Sequence, residues 1–255
     1  MNPSFSVLDI LETSWDITKK NFWVIVGYSA IAFIAIILVQ FASAFIMSFP
    51  NPIINMIGLF LLLIVNSIAT LGFYKLTFHL IDFEEEEISF SQVIPSWKNI
   101  SSFISLSLLL GLVVSILSIV YQKLLNNHEF AKFVNIIKDD DTYLGIAAII
   151  AFLILIVISI RFMFFPCFIV DDDSGAFQSL IQSKALTQDN LLKILAVFAI
   201  VIGFIALGFL ALGIGIIVTY PFTNVILVVT YRQLVNTYIN EHPEEQKTLD
   251  EESTF

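Results

Sequence analysis

Cys167 is the only cysteine in the chain. That single thiol excludes an intramolecular disulfide and any zinc site built on cysteine pairs. Charge is scarce too: 13% of the residues are Asp, Glu, Lys or Arg, against about a quarter in a soluble domain. Basic residues are scarcer than acids, 12 against 22, and no basic patch is present to neutralise the phosphates of a nucleic acid. His79, His128 and His242 stand far apart, and none has a second histidine or a cysteine at the i+3 or i+4 spacing of a helical metal site. The chain has no glycine-rich phosphate loop and no Gly-x-Ser-x-Gly elbow. A cleavable signal peptide is not expected, because Asp9, Glu12 and Asp16 break the positive-then-apolar layout it needs. These absences predict no catalytic residue, no cofactor and no metal.

What the chain has in abundance is apolar length. Of its 255 residues 58% are apolar, 25 of them Phe, and the mean hydropathy is +0.90. The apolar residues come in blocks long enough to cross a bilayer, whose core is about 30 Å thick. The expected fold class is an all-α integral membrane protein: six transmembrane helices in three hairpins, each preceded by an interfacial amphipathic helix. The spans read Phe22 to Met47, Pro52 to Leu80, Phe103 to Tyr121, Tyr143 to Val170, Leu191 to Leu212 and Thr219 to Ile239. The last two are one nearly unbroken run. As a single helix it would be about 75 Å long, so it must fold back, and Gly213, Gly215 and Pro221 mark the expected break. Residues 1–240 form one membrane domain, and 241–255, with six acids and one Lys, form a disordered acidic cytoplasmic tail.

Short polar segments with helical apolar spacing flank these spans. Val7, Leu8, Leu11 and Trp15 form one stripe, Phe90, Val93, Ile94 and Trp97 a second, and Phe177, Leu180 and Ile181 a third. Such stripes suit helices lying in the membrane interface. Ser6 is placed to cap the first, and Asp173 or Ser174 the third. The segments also resemble each other. Ser14, Ile17, Thr18 and Asn21 match Ser183, Leu186, Thr187 and Asn190 without a gap, and Ser96, Trp97 and Ser101 give a weaker middle copy. The ends of the inward spans repeat as well: Tyr74-Lys75 and Tyr231-Arg232, with Arg161 in the comparable place, each followed by apolar chain and then by Asp82, Glu241 or Asp171. The chain therefore reads as three internal repeats, 5–82, 88–171 and 174–240.

None of the six spans contains Asp or Glu, which counts against a proton-driven carrier. The runs Glu84 to Glu87, Asp139 to Asp141 and Asp171 to Asp173 read as solvated connectors, with a divalent-cation site at Asp171 to Asp173 as the weaker alternative. The candidate binding residues are Lys75, Arg161 and Arg232. An arginine at the depth of Arg161 costs about 2.5–3.5 kcal/mol on insertion scales. It must snorkel to headgroups, bond backbone carbonyls, or hold an anionic ligand. The three bases are expected to gather on the inner half of the bundle as an anion or lipid site.

The stretch Arg161-Phe162-Met163-Phe164-Phe165-Pro166-Cys167-Phe168-Ile169-Val170-Asp171, followed by Ala176, Leu180, Ser183, Leu186-Thr187 and Asn190 and closed by Tyr231-Arg232, resembles the membrane domain fused to some bacterial glycerophosphodiester phosphodiesterases and to related stand-alone six-helix bacterial families. The resemblance implies a topology and contact with lipid. It does not imply hydrolysis, because this sequence carries no phosphodiesterase domain. The expected function is a non-enzymatic multi-pass protein of the bacterial inner membrane that engages anionic lipid headgroups or a partner protein at the cytoplasmic leaflet. The alternative is an exporter of small molecules or peptides.

Orientation follows from the bases. With the N-terminus in the cytoplasm, Lys19, Lys20, Lys75, Lys98, Arg161, Lys184, Lys193, Arg232 and Lys247 fall inside and only Lys123, Lys132 and Lys138 outside, nine of the 12 against three. Reporter fusions at the C-terminus are expected to give the cytoplasmic signal; an externally active reporter would overturn the topology.

Overall fold

The computed structural model describes residues 6–83, 90–188, 190–211 and 215–241, and every element in it is an α-helix. In chain order these are α1 (Val7–Lys20), α2 (Phe22–Met47), α3 (Pro52–Asp82), α4 (Phe90–Val93), α5 (Trp97–Leu125), α6 (His128–Asp139), α7 (Asp141–Phe162), α8 (Phe165–Asp171), α9 (Ala176–Leu186), α10 (Leu191–Leu210) and α11 (Ile216–Glu241). Five stretches are long and apolar enough to cross a membrane: α2, α3, α5, α7 together with α8, and α10. The expected sixth, α11, matches α2 in length at 26 residues. Thr219, Thr223, Asn224, Thr230 and Arg232 make it too polar to qualify with the others. The reason lies in packing. Val225, Ile226, Val228 and Tyr231 of α11 are buried, so its surroundings are largely protein.

Local chemistry sets most of the boundaries. The Ser6 hydroxyl accepts from the Asp9 N–H at 3.4 Å and caps α1. Asn51 accepts from the Ile53 N–H at 2.9 Å, and Pro52 opens α3 at the position where a missing N–H costs nothing. Ser96, Asn127 and Asp140 cap α5, α6 and α7 in the same way. Several expectations are corrected. The fourth span is not one helix: the chain breaks at Met163 and Phe164, because Pro166 cannot supply an N–H to continue α7. Neither Asp173 nor Ser174 caps α9. Gly175 precedes it, Asp173 takes a left-handed φ of 52°, and the Ser174 hydroxyl donates to Gln182 Oε1 at 2.7 Å. Pro221 lies inside α11 rather than at the turn before it. The middle amphipathic segment is the short helix α4, four residues followed closely by Pro95, as a proline at that place requires. The connector from Gln122 to Thr142 holds a further amphipathic helix, α6. Gly213, Glu84 to Glu87 and the tail 242–255 lie outside the described residues.

Packing is concentrated at one end of the bundle, called here the near end. It carries α1, α8 and α9 and the C-terminal halves of α3 and α11. A single cluster of buried residues runs through it, including Ile10, Phe73, Leu76, Phe78, Phe164, Phe168, Val225 and Leu234. Away from that end little is covered. Only Asn99, Ile100 and Leu106 of α5 are buried, only Ile160 of α7, and nothing in α6. The exposed faces of α5 and α7 are apolar, as lipid-facing helices are, whereas α6 is amphipathic.

The corners from α1 to α2 and from α9 to α10 share a geometry. Asn21 sits at φ −111°, ψ 25° and Asn190 at φ −117°, ψ 21°. Ser14 and Ser183 are both fully buried, as are Ile25 and Ile194 in the first turn of the following helix. The likeness read between these two segments therefore extends to backbone and burial.

Small residues allow the closest helix approaches. Ser43 of α2 donates to the Gly58 carbonyl of α3 at 3.0 Å. Gly208 of α10 faces the start of α11, where a Cβ would collide with the Thr219 hydroxyl and lie 3.1 Å from the Ile216 nitrogen. Gly111 of α5 has nothing within 4 Å of such a Cβ. Gly208→Ala is expected to lower stability by about 1–3 kcal/mol, while Gly111→Ala is neutral or slightly stabilising. Thermal unfolding in mild detergent checks the pair, and equal effects at both positions would contradict the packing.

Candidate functional site

The near end is closed by a charge cluster drawn from three helices, α3, α8 and α11. Arg232, on α11, places NH2 2.6 Å from Asp82 Oδ2 at the end of α3 and NH1 3.0 Å from Asp171 Oδ2 at the end of α8. Tyr231 donates its hydroxyl to the same Asp171 oxygen at 2.9 Å. The guanidinium also lies over the Phe78 ring, 4.6 Å from its centroid. Tyr231 itself is enclosed by aromatic rings, with Phe168 at 5.0 Å and Phe78 at 5.7 Å. Helical spacing produces this arrangement. Tyr231 and Arg232 are neighbours on α11 and turn toward α8 and toward α3, so one helix grips two others. Asp171 has a side-chain exposure of 19% and Asp82 of 37%, so the Asp171 contact is the better shielded of the two.

Beyond Asp171 the acids continue outward. Asp172 accepts from Gln182 Nε2 at 3.3 Å. Desolvation and the Asp171 carboxylate push its carboxyl above the ordinary range, against the opposing pull of Arg232 and the Gln182 bond. Asp171 thus serves Tyr231 and Arg232, Asp172 serves α9, and Asp173 makes the turn. No group of three metal-ligating side chains occurs among the described residues.

Arg161 lies at the end of α7, where the helix breaks. The break would leave the Arg161 carbonyl and the Phe164 N–H unpaired. Ser183 of α9 serves both: its hydroxyl donates to the Arg161 carbonyl at 3.0 Å and accepts from the Phe164 N–H at 3.2 Å. The Arg161 guanidinium reaches only the Lys184 carbonyl, at 3.5 Å, an acceptor already used by the Thr187 hydroxyl at 3.0 Å. The Arg161 side chain is half-buried, Lys184 beside it is exposed, and no described carboxylate pairs with either. Lys75 lies elsewhere. Its ammonium donates to the Ile94 carbonyl at 3.0 Å and ties the connector before α5 to α3.

The three bases singled out in the sequence therefore have separate partners. Arg232 is matched by two carboxylates and so leaves the uncompensated positive group that the sequence suggested. Lys75 secures a connector. Arg161 meets no acid among the described residues. Sequence reasoning missed the pairing of Arg232 with Asp82 and Asp171: Asp171 was read within a solvated run, and Asp82 was given no partner. The available signal was the short spacing by which an acid follows Lys75 and Arg161 alike. Compared with models of known protein families, with curated proteins and with solved structures, the chain matches none.

Replacing Asp171 leaves Arg232 with one exposed partner and removes the charged acceptor of Tyr231. Asp171→Asn is expected to lower stability by about 2 kcal/mol, and Asp82→Asn by less than about 1 kcal/mol because of its exposure. Thermal unfolding in detergent reads both, and the reverse order would contradict this geometry.

Proposed function

We propose that this protein is a non-enzymatic multi-pass protein of the bacterial inner membrane, with six spans and both termini on the cytoplasmic side. In this reading α11 is the sixth span and the three hairpin units are internal repeats. The near end lies at the cytoplasmic leaflet, where α1 and α9 rest in the interface. There it holds an anionic lipid headgroup, with Arg161 as the principal contact and Lys184 beside it.

One observation carries the reading. Arg161 is half-buried at the near end and, among the described residues, meets no carboxylate, only a long bond to a carbonyl that another group already uses. A charge in that position gains from an anionic oxygen, and a phosphodiester headgroup supplies one in bidentate geometry. Lys184 adds an exposed cation at the rim. The other two bases are already engaged, Arg232 by carboxylates and Lys75 by a carbonyl, and contribute less. The sequence likeness to lipid-associated membrane domains points the same way.

Binding to nanodiscs containing phosphatidylglycerol, measured by native mass spectrometry of retained lipid, tests the proposal. Arg161→Gln is expected to weaken retention about fivefold, since one basic residue near an anionic surface contributes about 1 kcal/mol. Lys75→Gln should change it less than twofold. Unchanged retention in Arg161→Gln would refute the lipid site.

A further inference from the structure

A second feature lies deeper in the bundle and shares no residue with the lipid site. Between α2, α3 and the start of α11 is a cavity of about 310 Å³. Its wall is mostly apolar, with Phe33 and Ile36 among the lining residues. Six residues with hydroxyl or amide groups line it too: Tyr28, Ser29, Thr70, Tyr74, Tyr220 and Asn224. No Asp, Glu, Lys, Arg or His is among its lining residues.

Two of these polar groups belong to largely buried residues and have hydrogen-bonding capacity left over. Tyr74 is only 5% exposed, and its hydroxyl bonds to no described residue. Asn224 is 9% exposed. Its amide nitrogen donates to the Tyr220 carbonyl at 2.9 Å, which leaves its side-chain oxygen free to accept. The Tyr28 hydroxyl is spent differently: it donates to the backbone carbonyls of Ala69 at 3.2 Å and Ile68 at 3.3 Å. Gly72 leaves room for that hydroxyl, because a Cβ there would collide with it. The backbone of α3 thus holds Tyr28 at the wall, and Tyr74 and Asn224 remain with unused capacity. Both are therefore available to a hydrogen-bonding group on a molecule in the cavity.

The rim of the cavity faces lipid. Phe33 is 60% exposed and Tyr220 is 55% exposed, and Ile31, Ile34 and Leu38 of α2 are open on the adjoining faces. Tyr74 stands two turns before Asp82, about 12 Å along α3, so the cavity reaches into the hydrocarbon zone. A molecule entering it comes sideways from the bilayer. A charged head is excluded, because a charge at that depth has no counter-ion. The volume is at the lower end of the range of about 300–1,000 Å³ found for small-molecule sites. It holds a small head and the first part of a chain, while the rest of the chain lies in the bilayer.

We propose that this cavity binds an uncharged amphiphile whose head is a hydroxyl or a carbonyl, seated between Tyr74 and Asn224 and drawn from the membrane. The test uses the full chain in phosphatidylcholine nanodiscs and a monoacylglycerol with a diazirine on its acyl chain as the probe. After illumination, peptide mass spectrometry is expected to find label around Phe33 and Ile36 and between Ile216 and Asn224, competed away by unlabelled monoacylglycerol. A diazirine phosphatidic acid should label these positions weakly. Tyr74→Phe removes a hydroxyl that no protein group uses, so the fold should persist while labelling falls about three- to tenfold, the effect of one hydrogen bond. Ala32→Trp, which fills the cavity from α2, should abolish it. Labelling spread evenly over the lipid-facing α5 and α7 without competition, or unchanged labelling in Tyr74→Phe, would overturn the proposal.

Discussion

The pairing of Arg232 with Asp82 and Asp171 governs how the near end is put together. A guanidinium packed over an aromatic ring among buried side chains has lost much of its water. It is tolerable there only if carboxylates replace that water. The two carboxylates come from the last turns of two other helices. Satisfying Arg232 therefore fixes the depth of α3 and α8 relative to α11. Tyr231 adds a second bond to Asp171 from the same helix and fixes rotation as well as depth. Such a cluster adds little net stability over a well-packed apolar alternative. Its effect is on register: a helix slipped by one turn would leave a charge unpaired beside lipid.

This constraint accounts for the uneven packing of the rest. The near end is knit by side-chain bonds to backbone: Ser183 across the α7 break, Lys75 to the connector before α5, and Asn99 to the carbonyl of Ile169. Each satisfies a backbone group that a broken or irregular helix leaves open, and each is needed more in a low dielectric than in water. The outer lengths of α5 and α7 have no such bonds between them and present apolar faces to lipid. The bundle is thus specified at one end and covered by solvent hydrocarbon along the other. The proposed headgroup site and the proposed intramembrane cavity both border the specified part, where side chains are held in place.

Much of the fold was legible in the sequence because lipid imposes simple rules. Long apolar blocks gave the five candidate spans, Ser6 gave a helix cap, and the Ser–Thr–Asn corners marked where α2 and α10 begin. No side chain caps either helix there: the Thr18 hydroxyl has no partner among the described residues, and that of Thr187 bonds back to the Lys184 carbonyl. The shared corner of Asn21 and Asn190 was visible as spacing before it was visible as geometry. What was not legible depended on contacts between distant segments. Asp82 and Asp171 look like solvated ends when each is read with its own neighbours. They become counter-ions only when α11 is placed between them, 150 and 61 residues along the chain. Proline was misjudged for a related reason. Pro221 marks a turn by local rule, but α11 continues through it, whereas Pro166 in a longer apolar run does break the helix. The unused hydroxyl of Tyr74 leaves no sequence signal, because a buried tyrosine with a partner and one without are written the same way.

The claim that one arginine joins three helices is tested most directly by a double-mutant cycle between Asp171→Asn and Arg232→Gln, read by unfolding in mild detergent. Residues in direct contact through a shielded ion pair are expected to couple by about 1–3 kcal/mol, with the double variant far less impaired than the sum of the two single ones. Strict additivity would mean that α8 and α11 do not meet through these side chains, and would contradict the architecture described for the near end.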